Sequence, residues 1–196
     1  MEKLVKLISK CIPVRQKNVD TDQIMPARFL ISVSKTGYGE NLFRDWRYDE
    51  SGNENPDSLF NKEEYKNREI IVAGDNFGCG SSREHAVWGL VQYGIRVVIS
   101  SMFADIFKKN SLKNGLLLVQ VTPDELQRIF SIIEADPDAE ITVDLANQNV
   151  VMPDGSEIEF EIDPFRKQTI MEGQDDTAFI MANEDKIVEY ESRFNK

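Results

Sequence analysis

The hydrophobic pattern of this chain changes its period along the sequence, and each period predicts a different kind of structure. Between residues 69 and 121, strand-like apolar runs alternate with segments in which apolar residues recur at helical spacing. The first run spans residues 69–73 and the last spans residues 116–121. This order of strand, helix, strand, helix and strand predicts right-handed crossovers and a sheet that is at least partly parallel.

The first third of the chain has a more interrupted pattern. Apolar residues concentrate at 4–8 and at 12–14, where an opening strand region is predicted. The polar residues 20–22, Asp-Thr-Asp, follow it and are typical of turns, and a short helical piece is predicted after Pro26. Two polar stretches are predicted to be loops, residues 32–40 and residues 51–57.

The last third predicts one more helix, then antiparallel strands, then helices. Thr122 and Pro123 mark the start of a helix that should extend to about Ala135. Alternation of apolar and polar residues predicts strands near 141–145, 150–152 and 158–162, with a hairpin turn at 153–156. The final stretch, residues 164–194, is predicted to be helical with an interruption at Gly173.

The composition is that of an ordinary globular protein and argues against several partners. Of the 196 residues, 41% are hydrophobic and 29% are charged, and without a repeat or linker we expect one compact domain over residues 1–196. The net charge of -11 argues against nucleic acid and anionic membranes, although a local basic cluster could still bind an acidic substrate. The chain shows no apolar run of bilayer length and no signal-peptide core, so we expect a cytoplasmic protein.

Cysteine and histidine are too few for a metal centre built by this chain alone. Only Cys11 and Cys79 are present, which suits a reducing compartment and cannot supply the usual ligands of an iron–sulfur cluster. His85 is the only histidine, so a zinc site is also disfavoured. Any metal chemistry would therefore have to come from a partner.

Residues 74–85, Gly-Asp-Asn-Phe-Gly-Cys-Gly-Ser-Ser-Arg-Glu-His, are the most informative segment, because they join a predicted strand to a predicted helix. The glycines allow a sharp turn and a close approach of the backbone to a ligand. Ser81, Ser82 and Arg83 are predicted to lie at the helix start, where free N–H groups and the helix dipole favour an anion. Arg83 adds a forked cation suited to a carboxylate or phosphate, so the segment predicts an anion site that also carries hydroxyl groups.

The same segment leaves a structural interpretation open. Ser81 followed three residues later by Glu84 matches a capping box, in which the serines would merely cap a helix that ends at Gly94. A nucleotide site is disfavoured, because the P-loop ending is missing and Arg83 stands where a dinucleotide fingerprint has its third glycine. Two serines and an arginine beside three glycines at one turn favour a functional site.

Several ordered stretches of the sequence together carry a family resemblance. They are residues 18–30, 36–48, 78–85, 93–99, 101–107 and 110–116. The chain resembles the swivel domain of the aconitase superfamily, and in particular the small subunits of bacterial 3-isopropylmalate dehydratase. The resemblance implies an α/β fold, namely a swivelling β/β/α three-layer domain with a partly parallel sheet and a C-terminal β-hairpin and helices.

The resemblance also implies an activity and a partner. The activity is that of a hydro-lyase, which isomerises 2-isopropylmalate and 3-isopropylmalate by dehydration and rehydration in leucine biosynthesis. The partner is a large subunit, which is expected to carry a 4Fe-4S cluster, while no cofactor or metal is expected on this chain. The implied substrate is a small malate-type dicarboxylate.

Individual residues receive roles from the same resemblance. Ser81 is expected to take a carbon-bound proton next to a substrate carboxylate, with Ser82 and Arg83 binding the substrate. Asp22 aligns with an acidic active-site residue of the family, and the alternative is a turn residue. Lys35 stands where relatives usually carry arginine, and it is expected to bind a carboxylate unless it is an ordinary solvated charge. Supporting roles are expected for four neighbours of Ser81, namely Gly78, Gly80, Glu84 and His85.

Three other functions remain open from the sequence. Cys79 and His85 suggest a Cys–His hydrolase, although a helix turn separates them and no third orienting residue is evident. A noncatalytic anion-binding module is the second alternative. The third is a related dehydratase for another malate derivative, such as citramalate or homoaconitate, and the loop from Ile31 to Trp46 is expected to hold the side-chain pocket that decides this specificity.

Overall fold

The computed structural model describes residues 1–30 and 35–193, which form one seven-stranded mixed sheet and its helices. The strands are β1 (Lys6–Val14), β2 (Ile70–Ala73), β3 (Val97–Ser100), β4 (Leu117–Gln120), β5 (Glu140–Asp144), β6 (Asn149–Val151) and β7 (Glu157–Glu159). The α-helices are α1 (Thr21–Ile24), α2 (Arg44–Arg47), α3 (Glu84–Tyr93), α4 (Asp105–Lys113), α5 (Pro123–Ala135), α6 (Pro164–Glu172), α7 (Asp176–Ala182) and α8 (Glu184–Ser192). Short 3-10 turns are formed by Ala27–Phe29, Gly39–Asn41, Leu59–Asn61 and Glu63–Tyr65.

Strand β1 joins a parallel half of the sheet to an antiparallel half. The strand order is β4-β3-β2-β1-β5-β6-β7. The second half of β1 pairs in parallel with β2, with Cys11 opposite Ile70, and its first half pairs antiparallel with β5, with Lys10 opposite Glu140. The pairs β2–β3 and β3–β4 are parallel, whereas β5, β6 and β7 are antiparallel. The predicted α/β class, the partly parallel sheet and the C-terminal hairpin are therefore confirmed.

The opening strand region is a single strand, because β1 runs without interruption through Ser9 and Lys10, which separate its two apolar clusters. The Ser9 hydroxyl donates to the carbonyl of Lys10 at 2.8 Å and accepts from the N–H of Glu69 at 3.0 Å. The ammonium of Lys10 pairs with Asp138 at 2.6 Å. Two of these partners are distant in the sequence, so the local pattern cannot reveal that the polar residues are satisfied within the sheet.

Consecutive residues of the parallel strands face opposite sides of the sheet, and both sides are covered. In β2, Ile70 and Val72 belong to one hydrophobic core, whereas Ile71 and Ala73 belong to the other. The first core includes residues of α5 and of the antiparallel strands, and the second includes residues of α1, α3 and α4. All of β2 is buried, so the turn that follows it starts from a fixed strand.

The ends of three helices agree with the sequence. Thr122 caps α5 in a capping box with Glu125, and a proline lies in its first turn. Gly94 ends α3 with a φ of 108°, and Gly173 ends α6 with a φ of 72°. Both glycines adopt the left-handed conformation that other residues disfavour, which is why they mark helix ends in the sequence.

The predicted turn at residues 20–22 proves to be the start of a helix. Asp20 caps the single-turn helix α1 and accepts hydrogen bonds from the N–H groups of Asp22 and Gln23. One turn is too short to show a helical period, which explains why α1 is absent from the sequence prediction. Of the predicted loop at 32–40, residues 32–34 lie outside the described residues.

The interpretation as one compact domain stays a prediction. Within residues 1–30 and 35–193, no helix combines the length and the apolar character needed to cross a membrane.

Candidate functional site

The carboxyl ends of three neighbouring strands meet at the turn that follows β2. The N–H of Gly74 donates to the carbonyl of Val14, the last residue of β1, at 2.8 Å. The hydroxyl of Ser100, the last residue of β3, donates to the carbonyl of Gly74 at 3.0 Å. Ligands of open α/β sheets bind at this edge, so the fold places residues 74–83, called here the glycine turn, where a site is expected.

Two glycines let the glycine turn pack tightly against its neighbours. Gly78 has a φ of 78°, and a Cβ atom at this position would lie 2.2 Å from the ring of Phe107. Gly80 has a φ of 88°, and its Cβ would lie 3.3 Å from the Cβ of Asp20. Both the backbone conformation and the Phe107 ring therefore exclude a larger residue at position 78.

The segment that follows β1 fixes the backbone of Ser81. The N–H of Thr21 donates to the carbonyl of Cys79 at 2.8 Å, and the Thr21 hydroxyl donates to the carbonyl of Ser81 at 2.8 Å. The N–H of Arg83 donates to the same Ser81 carbonyl at 2.8 Å. Ser81 and Ser82 are nevertheless exposed at the surface. The two serine hydroxyl groups are thus exposed on a backbone that hydrogen bonds hold in place. A group that reacts with a bound substrate needs such a fixed and accessible position.

The capping box predicted for Ser81 and Glu84 is wrong. Helix α3 begins at Glu84, its N-cap residue is Arg83, and no side chain caps it. The Glu84 carboxylate instead accepts from the side-chain amide of Asn114 at 2.8 Å and lies 3.7 Å from the ammonium of Lys113. Because no side chain caps α3, its first N–H groups and its dipole are available to an anion next to the two serines.

Arg83 and Asp22, two residues predicted to bind substrate, pair with each other. The Nη1 group of Arg83 donates to the carboxylate of Asp22, which also accepts from the N–H of Ala27 at 2.9 Å. The hydrogen bond from Arg83, followed by that from Ala27, holds the pKa of Asp22 below its ordinary value of 3.8. The Asp22 carboxylate thereby orients the Arg83 guanidinium, whose other N–H groups can bind a substrate anion.

Lys35 lies beside α3 and not in the glycine turn. Its Nζ atom lies 5.2 Å from the centre of the Trp88 ring, and its carbonyl accepts from the side-chain amide of Gln92. Within the part of the chain that the structure describes, no hydrogen bond or ion pair joins Lys35 to Ser81 or its neighbours. Residues 31–34 of the predicted specificity loop lie outside that part. The carboxylate-binding role of Lys35 stays a prediction.

His85 has contacts that suit a packing role. Its ring packs edge-on against Trp88 and Tyr38, with ring centres 4.6 Å and 5.2 Å apart. The indole N–H of Trp88 donates to the side-chain oxygen of Asn114 at 3.1 Å. Since the side chain of Asn114 also binds Glu84, one hydrogen-bond network joins Trp88 to the start of α3.

The Cys–His hydrolase alternative is disfavoured by the surroundings of Cys79. Burial raises the pKa of its thiol, and the nearby carboxylate of Asp20 raises it further. A nucleophilic cysteine needs a lowered pKa instead. The other thiol, Cys11, is buried, and burial raises its pKa to about 12. Among residues 1–30 and 35–193, no group of three or more His, Cys, Asp or Glu is placed to hold a metal ion.

Three further residues support the glycine turn although the sequence did not single them out as site residues. Phe107 lies against Gly78, Asn114 binds Glu84, and the Ser101 hydroxyl donates to the carboxylate of Asp75. Phe107 and Asn114 lie on or next to α4, and Ser101 directly follows β3. The only sequence signal for them is the family resemblance of residues 101–107 and 110–116, which does not indicate what each residue contacts.

Comparisons with known proteins agree on one family. A family model described as Aconitase C-terminal domain matches residues 1–124, and a second, LeuD_N, matches residues 127–164. A 3-isopropylmalate dehydratase small subunit from Afipia carboxidovorans is 49% identical, over 98% of this chain and 96% of its own length. A protein of the same name from Azorhizobium caulinodans is 48% identical, over 97% of this chain and 95% of its own length.

A solved structure shares the fold. The crystal structure of 3-isopropylmalate dehydratase from Methanocaldococcus jannaschii matches 95% of this chain and 99% of its own, with a TM-score of 0.65. Its sequence is 24% identical, so this likeness bears on the fold alone.

Proposed function

This chain belongs to the family of 3-isopropylmalate dehydratase small subunits, and we propose that its glycine turn supplies the proton-transfer and carboxylate-binding groups of the reaction. The chain acts as a subunit of a hydro-lyase that isomerises 2-isopropylmalate and 3-isopropylmalate in leucine biosynthesis. Dehydratases for other malate derivatives are not favoured, because the relatives that match nearly the whole chain share this one name. Its place is the cytoplasm, where this biosynthesis occurs.

A large subunit is the partner, and it supplies what this chain lacks. A 4Fe-4S cluster is usually held by four cysteine thiolates, whereas the sequence has only Cys11 and Cys79. We therefore place the 4Fe-4S cluster on the large subunit, where it would act as a Lewis acid.

The observation that carries the proposal is the presentation of Ser81. Its backbone is held by Thr21 and Arg83, and its exposed side chain stands before the uncapped start of α3. In dehydration, Ser81 takes a proton from the carbon next to a carboxylate, and the hydroxyl group leaves the neighbouring carbon as the double bond forms. In rehydration, the proton and the hydroxyl group return to exchanged positions.

Serine is a weak base in water, so its surroundings must stabilise the alkoxide form. The N–H groups at the start of α3 and the positive end of its dipole lower the free energy of a negative charge placed there. The guanidinium of Arg83 adds a full positive charge at the same end of the helix.

Arg83 and Ser82 bind a substrate carboxylate beside Ser81. Arg83 uses the N–H groups that do not contact Asp22, while Asp22 keeps the guanidinium in place. Lys35 would bind a second carboxylate only after leaving the Trp88 ring, and we place that movement at the docking of the large subunit.

Reconstitution tests the proposal. The full chain and its large subunit, purified separately, are assayed for 2-isopropylmalate turnover by absorbance of the unsaturated intermediate, each alone and then mixed. We expect turnover only from the mixture, and a lower kcat/KM for citramalate than for 2-isopropylmalate. Turnover by this chain alone would contradict the division of roles, and tight binding of 2-isopropylmalate without turnover in the mixture would indicate a noncatalytic module.

A further inference from the structure

A cavity of about 570 Å³ lies at the end of β2 that is opposite to the glycine turn. Its walls come from α2, from the residues that precede β2 and from the last residue of α3. The basic residues that line it are Arg47, Lys66 and Arg68. None of them belongs to the site described above, and Lys66 and Arg68 also lie outside the stretches that carry the family resemblance.

Arg68 is a buried cation without a carboxylate partner among the described residues. It is 5% exposed, and its Nη1 group donates to the carbonyl of Cys11 at 2.6 Å. Its guanidinium carbon lies 4.5 Å from the centre of the Tyr65 ring. The Nε atom is buried and has no hydrogen-bond partner. A buried charge is unfavourable unless it is paired, so these contacts leave Arg68 incompletely satisfied.

The backbone on either side of Arg68 is held in place. Asn67 precedes it with a φ of 59°, a left-handed conformation that asparagine tolerates better than most residues. Glu69 follows it, and its N–H is bound by the Ser9 hydroxyl of β1 at 3.0 Å. With both neighbours held, the backbone of Arg68 has a fixed place at the start of β2.

Arg47 lines the same cavity and also has only neutral partners among the described residues. Its Nε atom donates to the side-chain oxygen of Asn61 at 3.3 Å, and its Nη1 group donates to the carbonyl of Leu42 at 3.3 Å. Its guanidinium carbon lies 5.2 Å from the centre of the Tyr93 ring. The chain has a net charge of -11, and other arginines, such as Arg83, do find carboxylates. It is therefore unusual that one cavity contains two arginines that have no carboxylate partner.

We propose that this cavity binds a small oxyanion, carrying carboxylate or phosphate groups, against Arg68, while Arg47, whose Nε, Nη1 and Nη2 groups already have neutral partners, contributes its charge. Nε and Nη2 form the edge of a guanidinium that makes paired hydrogen bonds with two oxygen atoms, and on Arg68 the neutral partner occupies Nη1 instead. Glu54 and Glu69 also line the cavity, so the three basic residues are largely offset and the lining is only weakly positive. A weakly positive lining suits a compact anion better than a polyanion such as nucleic acid.

The structural alternative is that the Cys11 carbonyl and the Tyr65 ring are all that Arg68 needs. Under that alternative no small anion should perturb the Arg68 side chain in a saturable way. The proposal does not depend on the catalytic role of the glycine turn, because it concerns other residues and binding is measured without the large subunit.

Nuclear magnetic resonance of the full chain tests the proposal directly. The Nε–H signal of Arg68, assigned through its side-chain carbons, is followed during titration with phosphate, with malonate and with chloride at matched ionic strength. We expect a saturable shift with phosphate or malonate and none with chloride, and the anion that saturates at the lower concentration identifies the chemistry of the ligand. The Arg83 signal reports binding at the glycine turn separately. An Arg68 signal that follows ionic strength alone overturns the proposal.

Calorimetry on variants provides the matched comparison. Loss of a charge-assisted hydrogen bond in Arg68→Met should weaken binding of the same anion about 10- to 150-fold. Arg44→Gln is the control, because it removes the same charge from α2 at a residue that stacks on Tyr48 outside the cavity. We expect its affinity to stay within about twofold of the unmodified chain. Equal weakening in both variants overturns the proposal, and if Arg68→Met fails to fold, the titration of the unmodified chain decides.

Discussion

The β2–α3 unit has an arginine at each end, and the two arginines are in opposite electrostatic situations. At the carboxyl end of β2, the side chain of Arg83 is 19% exposed and pairs with Asp22, which is itself 57% exposed. At the amino end, Arg68 is 5% exposed and has no carboxylate partner among the described residues. Each is linked to β1 or the segment that follows it, yet of the two only Arg83 forms an ion pair, while Asp138 interacts with Arg68 at longer range only.

The difference shows how each arginine can take part in binding. An exposed ion pair is worth less than about 1 kcal/mol, so a substrate carboxylate can share Arg83 with Asp22 at little cost. Arg68 has no paired carboxylate to exchange, so under the proposal above a ligand that enters the cavity supplies the opposite charge. The carboxyl end of β2 is therefore suited to a substrate that binds and is released in each turnover. The amino end of β2 is suited to an anion that stays bound.

Replacement of Ser81 is the strongest test of the carboxyl end. Ser81→Ala removes the proposed base, and general-base catalysis contributes about 10²- to 10⁴-fold, so kcat of the assembled enzyme should fall by at least that range. Ser82→Ala should lower kcat less, because it removes one hydrogen bond to the substrate. Steady-state kinetics and the thermal stability of each variant are measured together. A near-normal kcat in Ser81→Ala would exclude proton transfer by this residue.

Gly78 and Gly94 lie at opposite ends of the β2–α3 unit. Replacing each by alanine distinguishes the energetic cost of a steric clash from the cost of an unfavourable backbone conformation. Gly78→Ala places a Cβ 2.2 Å from the Phe107 ring at a φ of 78°, so we expect a loss of about 3 kcal/mol or more in the free energy of unfolding. Gly94→Ala is the matched control at the amino end, since its φ is 108° and no atom lies within 4 Å of the new Cβ. Its cost should be about 1 kcal/mol. Urea unfolding measures both, and equal losses would contradict the packing role of Phe107.

The sequence predicts the structure at the carboxyl end of β2 far better than the structure at its amino end. The parallel strands are buried on both faces and therefore read as apolar runs, and the glycine turn lies directly between one strand and one helix. The failed prediction of a capping box depends on Asn114, which draws Glu84 away from Ser81 across a long sequence separation. Arg68 gives no pattern at all, because its burial depends on contacts with Cys11 and Tyr65 that only the folded chain creates.

Substitution of Lys35 tests whether the site at the carboxyl end of β2 also needs a residue from the loop that precedes α2. If Lys35 binds a substrate carboxylate, Lys35→Ala removes a charge-assisted hydrogen bond worth roughly 1.5–3 kcal/mol, and kcat/KM should fall about 10- to 150-fold. Lys35→Arg should keep most of the activity, because the guanidinium retains the charge and can bind a carboxylate through two parallel hydrogen bonds. Kinetics of the assembled enzyme distinguish this role from that of a solvated charge stacked on Trp88, for which neither substitution changes kcat/KM.

The smallest expected effect concerns the ion pair between Asp22 and Arg83, for which Arg68 has no counterpart. The folded chain holds the pKa of Asp22 below 3.8, so the pair stabilises the fold above that value, and the contribution is lost as the pH falls through the lowered pKa. Because both side chains are partly exposed, Asp22→Asn should reduce the free energy of unfolding at pH 7 by less than about 1 kcal/mol. The difference between variant and unmodified chain should shrink below pH 3.8.

A titration of the Asp22 carboxyl carbon by nuclear magnetic resonance checks the cause of this shift. The midpoint should lie below 3.8 in the unmodified chain and rise in Arg83→Gln, but only part of the way, because the hydrogen bond from the N–H of Ala27 remains. Arg68→Met removes the same charge at the other end of the unit and should leave the midpoint unchanged. An equal rise in both variants would mean that Asp22 senses the total charge of the chain, and the distinction between a paired and an unpaired arginine would then lose its physical basis.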